Sequence, residues 1–322
     1  MTTQGEDAIV IEGVSKRFGR VLALDDVSMQ VRRGEMFALL GPNGAGKSTL
    51  IDILCTIRPL DSGRATVAGA DVTRAPRQVR RRIGVVFQDS TVDTRLTVRE
   101  NLNFHGLVYQ MRGAHRRRRI TEMLELVELS DWADAVVRTL STGMKRRLEI
   151  ARALLHEPEV LFMDEPTVGL DAQSRAKIWE YLDQLRQSQN LTVVVTTHYI
   201  DEVESCDQVC IIDHGKILTQ GTPEALKEGH GTRMLRATPT SPDAAARVRA
   251  RRPDVLEGAR GQLLLQMRSA DEMAPFMAEF GDDLRQVELE QPSLESVFLS
   301  LTGRDLREAP AAAQGKGRRN GG

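Results

Sequence analysis

The chain has 322 residues, enough for one large domain or for one ordinary domain with a smaller appendage, at about 150 residues a domain. Its 41% apolar and 28% charged residues are typical of a folded globular protein and exclude a disordered, collagen-like or mucin-like chain. The 44 basic and 45 acidic residues nearly cancel, so no overall field attracts nucleic acid or an anionic membrane.

Neither the cysteines nor the apolar segments indicate a secreted or membrane-spanning chain. Cys55, Cys206 and Cys210 form no CxxC pair and have no histidine cluster beside them, which argues against a disulfide framework or a structural zinc site. The N-terminal sequence MTTQGEDAIVIEG lacks the basic and apolar segments of a secretory signal. The apolar runs are far shorter than the roughly 18 to 20 residues of a membrane-spanning helix. We therefore expect a cytoplasmic protein with no membrane span of its own.

Strands and helices alternate along the first two thirds of the sequence. Residues 98–129 are rich in helix formers and have a break near Gly113, which predicts a helical subdomain. The alternation elsewhere predicts an α/β domain with a mostly parallel sheet. Strands are predicted at residues 9–14, 27–31, 35–40, 83–87, 160–163 and 191–196, and further helices at 49–57, 144–155 and 173–187.

The character of the sequence changes after Leu226. Residues 227–247 are rich in Gly, Pro, Thr and Ser, which predicts a linker or the edge of a second unit. The sequence APAAAQGKGRRNGG at the C-terminus has too few apolar residues to order itself. Between these segments, helices are predicted at residues 244–250, 270–280 and 294–301, and strands at 262–267 and 286–289.

Residues 41–48, GPNGAGKS, fit the pattern G-x-x-x-x-G-K-[ST] between a predicted strand and a predicted helix. The glycines let backbone N–H groups surround phosphate oxygens, and the start of the helix adds positive potential. Lys47 can reach the β and γ phosphates, and the hydroxyl of Ser48 can bind Mg²⁺. The flanking elements favour this interpretation over a glycine-rich turn without a ligand. The predicted ATP contacts of this loop are Gly41, Asn43, Gly44, Gly46, Lys47, Ser48 and Thr49.

The predicted strand at residues 160–163 ends in two adjacent carboxylates, Asp164 and Glu165. Parallel sheets present their ligand sites at the carboxyl ends of their strands. Asp164 can therefore orient a metal ion, and Glu165 can accept a proton from an attacking water. Alternatively, the two residues cap the next helix together with Pro166. The phosphate-binding loop earlier in the chain favours the catalytic role.

A third motif, LSTGM at residues 140–144, lies between the loop and the carboxylates. It is similar to the LSGGQ signature of ATP-binding cassette (ABC) transporters, and the order of the three motifs resembles the nucleotide-binding subunit of that family. The resemblance assigns Ser141 and Gly143 to the γ-phosphate of ATP bound by a partner subunit, which implies a head-to-tail homodimer. Thr142 and Met144 depart from the family's usual Gly and Gln, and a branched Thr142 restricts the backbone. The alternative for Ser141 is an ordinary helix cap.

The same resemblance implies roles for four more residues. Phe18 would stack on adenine, with packing in the core as the alternative. Gln88 would reach the metal ion and the attacking water, and Asp171 would cross the dimer interface. His198 would act in catalysis by contacting the γ-phosphate and holding the attacking water, although a lone histidine is more often simply packed.

The resemblance and the predicted elements together imply the fold class and the domains. The fold is expected to be α/β: a phosphate-loop ATPase cassette with a mostly parallel sheet, an antiparallel β edge and a helical subdomain, followed by a small C-terminal α+β unit. The ATPase domain would cover residues 1–230, with the helical subdomain at about 92–156. The accessory unit would cover residues 231–303, and residues 304–322 would form a disordered tail.

Residues 291–304, QPSLESVFLSLTGR, resemble the end of daunorubicin/doxorubicin-resistance type exporter ATPases. They predict an amphipathic helix that begins after a proline and stops at a glycine, and we expect it to pack on the sheet of the accessory unit, with an extension to the partner subunit as a further possibility. Its apolar face would comprise Leu294, Val297, Phe298 and Leu301.

The run of charge at residues 115–119, HRRRR, is predicted to be a solvated face of the helical subdomain. A contact with membrane headgroups or with an acidic partner loop is the alternative.

The leading functional hypothesis is an ATPase subunit that binds MgATP between two cassettes and hydrolyses it to ADP and phosphate. It would drive a separate ABC-2-like permease to export a drug-like, natural-product or lipid-like compound, from the cytoplasmic face of the cell membrane and without a nucleic acid partner. Export of sodium, polysaccharide or peptide is the alternative within the class. A soluble ABC ATPase that acts on ribosomes or DNA is the alternative outside it, although the sequence lacks the second cassette, long coiled coils and zinc inserts typical of those proteins.

Overall fold

The computed structural model describes residues 7–258, 261–267 and 272–302. Its strands are β1 (Asp7–Phe18), β2 (Val21–Arg32), β3 (Met36–Leu40), β4 (Ser62–Val67), β5 (Ala70–Asp71), β6 (Ile83–Val86), β7 (Val160–Asp164), β8 (Thr192–Thr197), β9 (Gln208–Asp213), β10 (Lys216–Gly221), β11 (Arg233–Pro239), β12 (Leu256–Glu257), β13 (Leu263–Met267) and β14 (Leu284–Glu290). Its helices are α1 (Lys47–Leu54), α2 (Pro76–Arg82), α3 (Val98–Val108), α4 (Gly113–Leu126), α5 (Thr142–Leu154), α6 (Ala172–Gln189), α7 (Pro223–His230), α8 (Pro242–Arg251), α9 (Met273–Phe280) and α10 (Leu294–Thr302). None of these helices combines the length and apolar composition needed to cross a membrane.

A six-stranded sheet in the order β10-β9-β3-β8-β7-β6 forms the centre of the first part of the chain. All its neighbours run parallel except β10, which pairs antiparallel with β9. The central strands β3, β7 and β8 are buried along their whole length, as expected of a parallel sheet covered on both faces. The sheet confirms the predicted α/β fold and places the carboxyl ends of β3, β7 and β8 at one edge.

A second, antiparallel sheet in the order β2-β1-β4-β5 lies beside the first and confirms the predicted antiparallel edge. The strands β4 and β5 and the helix α2 that follows them had no predicted counterpart. The reason is their weak apolar pattern: in β4 only Ala65 and Val67 are buried, and α2 contains four arginines and a single buried residue, Val79.

The helical segment between β6 and β7 breaks where the sequence predicts, since α3 ends at Val108 and α4 begins at Gly113. Its first helix starts with a capping box, in which Thr97 and Glu100 satisfy each other's backbone N–H groups.

The arginine run of α4 is not uniformly solvated, so that prediction is wrong for two of its four arginines. Arg119 is buried, donates to the backbone oxygen of Leu154 at 3.3 Å and pairs with Glu122 at 2.7 Å. Arg116 is half-buried and donates to Asn103 Oδ1 at 2.8 Å. These two side chains tie α4 to α5 and α3, and only the other two arginines face solvent.

A third sheet, in the order β12-β13-β11-β14, forms the C-terminal unit. Its interior strand β11 lies within the segment predicted as a linker or as the edge of a second unit, so the linker alternative is wrong for these residues. The strand forms because Leu235 and Ala237 pack against α8 and α9, whereas Met234 faces the opposite side of the sheet and contacts Leu299. The predicted tail at residues 304–322 lies outside the described residues.

Helix α10 corrects a further expectation, because its apolar face does not pack on the accessory sheet. Leu294, Val297 and Phe298 belong to the core of the first part of the chain, in a cluster that includes Leu226 of α7. On another face of the helix, Leu299 packs on the C-terminal sheet and Glu295 pairs with Arg236 of β11 at 3.9 Å. The last described helix therefore lies between the two parts and contacts both.

Candidate active site

The loop between β3 and α1 has the local geometry that its glycines predict. Gly44 and Gly46 have positive φ angles of 83° and 110°, which favour glycine. A Cβ atom on Gly46 would lie 2.6 Å from the backbone oxygen of Ala23, and one on Gly41 would lie 2.3 Å from that of Ile212. The loop therefore runs too close to neighbouring backbone for larger residues.

Hydrogen bonds from later parts of the chain hold both ends of this loop. The N–H of Gly41 donates to the backbone oxygen of Thr197 at 3.4 Å, and the N–H of Gly215 donates to that of Ala45 at 2.9 Å. The loop is thus fixed by the ends of β8 and β9 as well as by its own sequence.

Lys47 opens α1 and is only 4% exposed. Its Nζ donates to the backbone oxygens of Gly41 at 2.7 Å and Pro42 at 3.2 Å, and it lies 3.6 Å from Glu165 Oε1. Burial lowers the pKa of Lys47, and the nearby carboxylates of Glu165 and Asp164 act against that effect. The side chain is therefore a buried cation held directly beneath the loop.

A cavity of about 560 Å³ opens in front of the loop. Six predicted ATP contacts line it together with Glu165: Asn43, Gly44, Gly46, Lys47, Ser48 and Thr49. Gln88, which follows β6, lines it as well. The wall also includes residues that the sequence did not indicate, namely Val21, Leu22, Ala23 and His214. The structure therefore brings the predicted loop, Gln88 and Glu165 to one cavity.

The two carboxylates at the end of β7 point to different partners. Asp164 Oδ1 accepts hydrogen bonds from Ser48 Oγ at 3.2 Å and from the hydroxyl of Thr196. Glu165 Oε1 lies 3.3 Å from His198 Nδ1 and faces Lys47. Neither carboxylate caps the next helix, because Asp171 is the N-cap of α6. The helix-cap alternative is therefore wrong for Asp164 and Glu165.

Glu165 is an ionised base in a strained position. The hydrogen bond from His198 is the main cause that lowers the pKa of Glu165, and the charge of Lys47 lowers it further. Its backbone has a φ of 46°, which is unusual for a residue with a side chain. The N–H of Glu165 donates to both the backbone oxygen and the hydroxyl of Thr196, each at 3.1 Å. A carboxylate in this position can accept a proton from a water in the adjoining cavity.

The LSTGM segment starts a helix, as predicted, and Ser141 does cap it. The hydroxyl of Ser141 accepts from the N–H of Met144 at 3.2 Å, and Ser141 remains exposed. Asp171 accepts from the N–H of Ser174 at 2.9 Å, and a Cβ on Gly143 would lie 2.8 Å from Ser174 Oγ. The structure therefore joins the LSTGM segment to Asp171 through Ser174, and none of these described residues lines the cavity of its own chain.

Phe18 ends β1 with 40% of its surface exposed, so the core-packing alternative is wrong. Lys16 Nζ lies 5.6 Å and Arg58 Cζ lies 5.4 Å from the centre of its ring. An exposed ring beside two cations can stack on an aromatic base.

Sequence reasoning missed two residues that hold the site, Thr196 and Arg146. Thr196 lies at the carboxyl end of β8, next to the strand that carries Asp164 and Glu165. A polar residue at the end of an otherwise apolar strand was the signal in the sequence that could have identified it. Arg146 is buried on α5, one helical turn before Glu149, and that i,i+3 pairing of opposite charges was the signal.

The chain is similar to known proteins in both sequence and structure. A family model described as ABC transporter matches residues 24–168. The daunorubicin resistance ATP-binding protein DrrA2 of Streptomyces coeruleorubidus is 38% identical over 307 residues, covering 92% of this chain and 95% of the relative. The Nod factor export ATP-binding protein I of Rhizobium sp. (strain N33) is 40% identical over 306 residues, covering 94% and 99%. The linearmycin resistance ATP-binding protein LnrL of Bacillus subtilis (strain 168) is 36% identical, covering 92% and 99%.

Two solved structures show the same architecture. The protein cbiO1 of Clostridium perfringens, part of the ABC transporter complex cbiONQ, matches with a TM-score of 0.65 and 28% identity, covering 77% of this chain and 96% of that chain. The dimeric ATP-binding cassette MJ0796 bound to ADP and Pi matches with a TM-score of 0.61 and 29% identity, covering 66% and 98%.

Proposed function

This chain belongs to the ABC transporter family as an ATP-binding ATPase subunit, and we propose that it powers export of a drug-like, natural-product or lipid-like compound. The support is its similarity, over nearly their full length, to relatives named for daunorubicin resistance, Nod factor export and linearmycin resistance. Under this proposal the partner is a separate membrane permease of the ABC-2 type. The chain acts on the cytoplasmic face of the membrane that holds this permease.

One observation supports the assignment of catalytic roles: the carboxylate of Glu165 lies within 3.6 Å of both Lys47 and His198 beside the loop cavity. Lys47 neutralises charge on the β and γ phosphates of ATP. Glu165 accepts the proton of the attacking water. His198 orients that carboxylate through Nδ1, which leaves Nε2 for the water or the γ-phosphate.

The oxygen atoms of Ser48 and Asp164 fit a Mg²⁺ ion. They lie 3.2 Å apart, Ser48 lines the cavity, and Mg²⁺ binds proteins through one or two carboxylates while it keeps several waters. Gln88, which lines the same cavity, is the third proposed ligand. When bound, the ion would polarise the phosphoryl oxygens of ATP.

The residues of the LSTGM segment are proposed to act on a partner's nucleotide. Ser141 and Gly143 lie away from the cavity of their own chain, and Asp171 lies beside them. A head-to-tail homodimer would place these residues, and the N-terminus of α5, against the γ-phosphate bound by the other chain. The dimeric state of the related cassette MJ0796 supports this arrangement.

The domain boundary near residue 230 is part of the same proposal. Helix α7 ends at His230, and β11 begins a separate sheet at Arg233. We assign residues 1–230 to the ATPase domain and 231–303 to an accessory unit, whose last helix, α10, packs its apolar face into the core of the ATPase domain. Because α10 packs on α7, a movement of the ATPase domain at α7 would be transmitted to the accessory unit.

The proposed roles are tested by two substitutions at the cavity and one control. Lys47→Ala removes the buried cation and should abolish tight ATP binding. Glu165→Gln keeps the shape of the side chain but cannot take the proton, so ATP should still bind while turnover falls by about 10²- to 10⁴-fold. Glu159→Gln, a change at a half-buried glutamate just before β7 that pairs with Arg33, should behave as the parent protein.

The readouts are equilibrium binding of a fluorescent ATP analogue and release of phosphate by the purified chain. Parental turnover in Glu165→Gln would refute its role as the base. Affinity purification from the native cell should recover a membrane permease. Recovery of ribosomes or DNA in its place would favour the alternative function and refute export.

A further inference from the structure

One buried arginine connects the start of α5 to both sides of the candidate catalytic site. Arg146 lies two residues after Met144 and is 7% exposed. Its Nε donates to the backbone oxygen of Pro166 at 2.6 Å, and its Nη2 donates to that of Glu165 at 3.1 Å. Its Nη1 donates to the backbone oxygen of Phe87, the residue before Gln88, at 2.6 Å. A single guanidinium therefore binds the segment of the base and the segment of Gln88.

Glu149 completes this arrangement one turn further along α5. It is 3% exposed, and its Oε2 accepts from Arg146 Nη1 at 2.8 Å. Its other oxygen, Oε1, accepts from the N–H of Thr91 at 3.1 Å. The segment that carries Gln88 is thus bound at both ends by α5, through Arg146 at Phe87 and through Glu149 at Thr91.

The contact at Glu165 matters because the backbone there is strained. A residue with a side chain at a φ of 46° keeps that conformation only when its surroundings impose it. Thr196 holds the N–H of Glu165, and Arg146 holds its carbonyl oxygen. Without Arg146, this carbonyl oxygen would keep only the longer contact from the N–H of Val168, at 3.4 Å, so the strained residue could relax and its carboxylate would move away from His198 and Lys47.

Building on the proposed function, we propose that Arg146, aligned by Glu149, is a positioning residue for ATP hydrolysis. It fixes the base Glu165 and the ligand Gln88 relative to the start of α5, the helix whose first residues meet the partner's nucleotide. Arg146 does not line the cavity, so it acts through the residues that it holds. The planar guanidinium is required, because its donors are spread in a fork that a lysine ammonium cannot reproduce.

Among the residues that the structure describes, no hydrogen bond joins the phosphate-binding loop to the guanidinium of Arg146. Loss of Arg146 should therefore lower the rate of ATP hydrolysis without lowering the affinity for ATP. We expect Arg146→Met to lower kcat for ATP hydrolysis by about tenfold or more while KM and the affinity for an ATP analogue stay within about twofold of the parent. Arg146→Lys keeps the charge beside Glu149 but loses the fork, so it should show the same separation.

Arg147→Met is the matched control on the same helix. Arg147 is half-buried and donates to the backbone oxygen of Val127 at 3.0 Å, away from the cavity. It should keep the parental kcat and KM. Thermal unfolding of each full-length variant shows which are folded, and if Arg146→Met does not fold because Glu149 is left unpaired, Arg146→Lys carries the measurement.

A double variant tests whether Arg146 acts through Glu165. In a Glu165→Gln background, the further change Arg146→Lys should lower kcat by a smaller factor than it does in the parent, because the part of its effect that passes through the base is already lost and only the part that passes through Gln88 remains. Parental kcat in folded Arg146→Lys, or equal losses of kcat and ATP affinity, would overturn the proposal. An additive loss in the double variant would also overturn it. A parental rate in Glu165→Gln alone would instead refute the proposed function of the site.

Discussion

Replacement of Phe298 by alanine tests whether α10 is part of the core of the ATPase domain. Phe298 is completely buried in a cluster that includes Leu226 of α7 and Val209 of β9. Truncation of a buried phenylalanine to alanine costs about 3 to 5 kcal/mol, from lost transfer free energy and the cavity left behind. This is a large fraction of a typical free energy of unfolding of about 5 to 15 kcal/mol. We therefore expect a strongly destabilised protein whose ATPase domain opens first next to α10.

The control is Leu299→Ala on the neighbouring face of α10. Leu299 packs against Met234 and Leu264 of the C-terminal sheet, so its loss should loosen that sheet instead. Hydrogen exchange, read peptide by peptide on the full-length variants, distinguishes the two outcomes. Phe298→Ala should lower protection in α7 and β9, whereas Leu299→Ala should lower it in β11 and β13. A Phe298→Ala protein that loses less than about 1 kcal/mol, or that opens only in β11 and β13, would refute the assignment of α10 to the ATPase core.

Two further predictions concern the shared site and its pH dependence. MgATP should drive dimerisation of the Glu165→Gln protein, and the further change Ser141→Arg should abolish it by filling the space that the γ-phosphate needs with a bulky side chain. The further change Ser141→Ala loses the same helix cap without adding bulk, so it should dimerise more strongly than the Ser141→Arg protein. Sedimentation with saturating MgATP measures this, and a dimer indifferent to both nucleotide and Ser141→Arg would contradict it. The pKa of Glu165 is lower in the folded protein than in the unfolded chain, so the ionised carboxylate stabilises the folded state. This contribution to the free energy of unfolding is fully present above the unfolded pKa and is lost as the pH falls through the folded pKa. His198→Ala removes the main cause of the lowered pKa, so the variant should begin to lose stability at a higher pH than the parent. Urea unfolding of both proteins between about pH 3 and 6 measures this. If stability falls with decreasing pH in the same way in both proteins, His198 does not set this pKa.

The parts of the site that depend on local sequence could be predicted. The glycine spacing of the loop, the apolar run of β7 and the polar start of α5 each lie within a few residues, and each forms the element expected of it. The parallel order of the strands then brings the ends of β3 and β7 together, so the contact between Lys47 and Glu165 follows from the fold.

The parts that could not be predicted depend on contacts between distant segments. An arginine in a charged stretch looks solvated in the sequence, yet Arg119 is buried because backbone oxygens at the end of α5 need donors. Strand β11 looks like a linker because its proline and the glycines that precede it favour turns, whereas its pairing with the two neighbouring strands β13 and β14 makes it a strand. The apolar stripe of α10 was identified, but nothing in its sequence tells which of two cores receives it.

The order of strands in the central sheet has a consequence for the newly made chain. Strand β3 carries the phosphate-binding loop, yet both of its neighbours, β8 and β9, are synthesised much later. On the ribosome, the apolar sequence MFALL of β3 therefore emerges before the strands that pair with it. Residues 192–213, which contain β8 and β9, must be made before the phosphate-binding loop can be held in its final position. During that interval this apolar segment has no partner strand from its own sheet, and unpaired apolar strand segments are prone to aggregate until their partners are made.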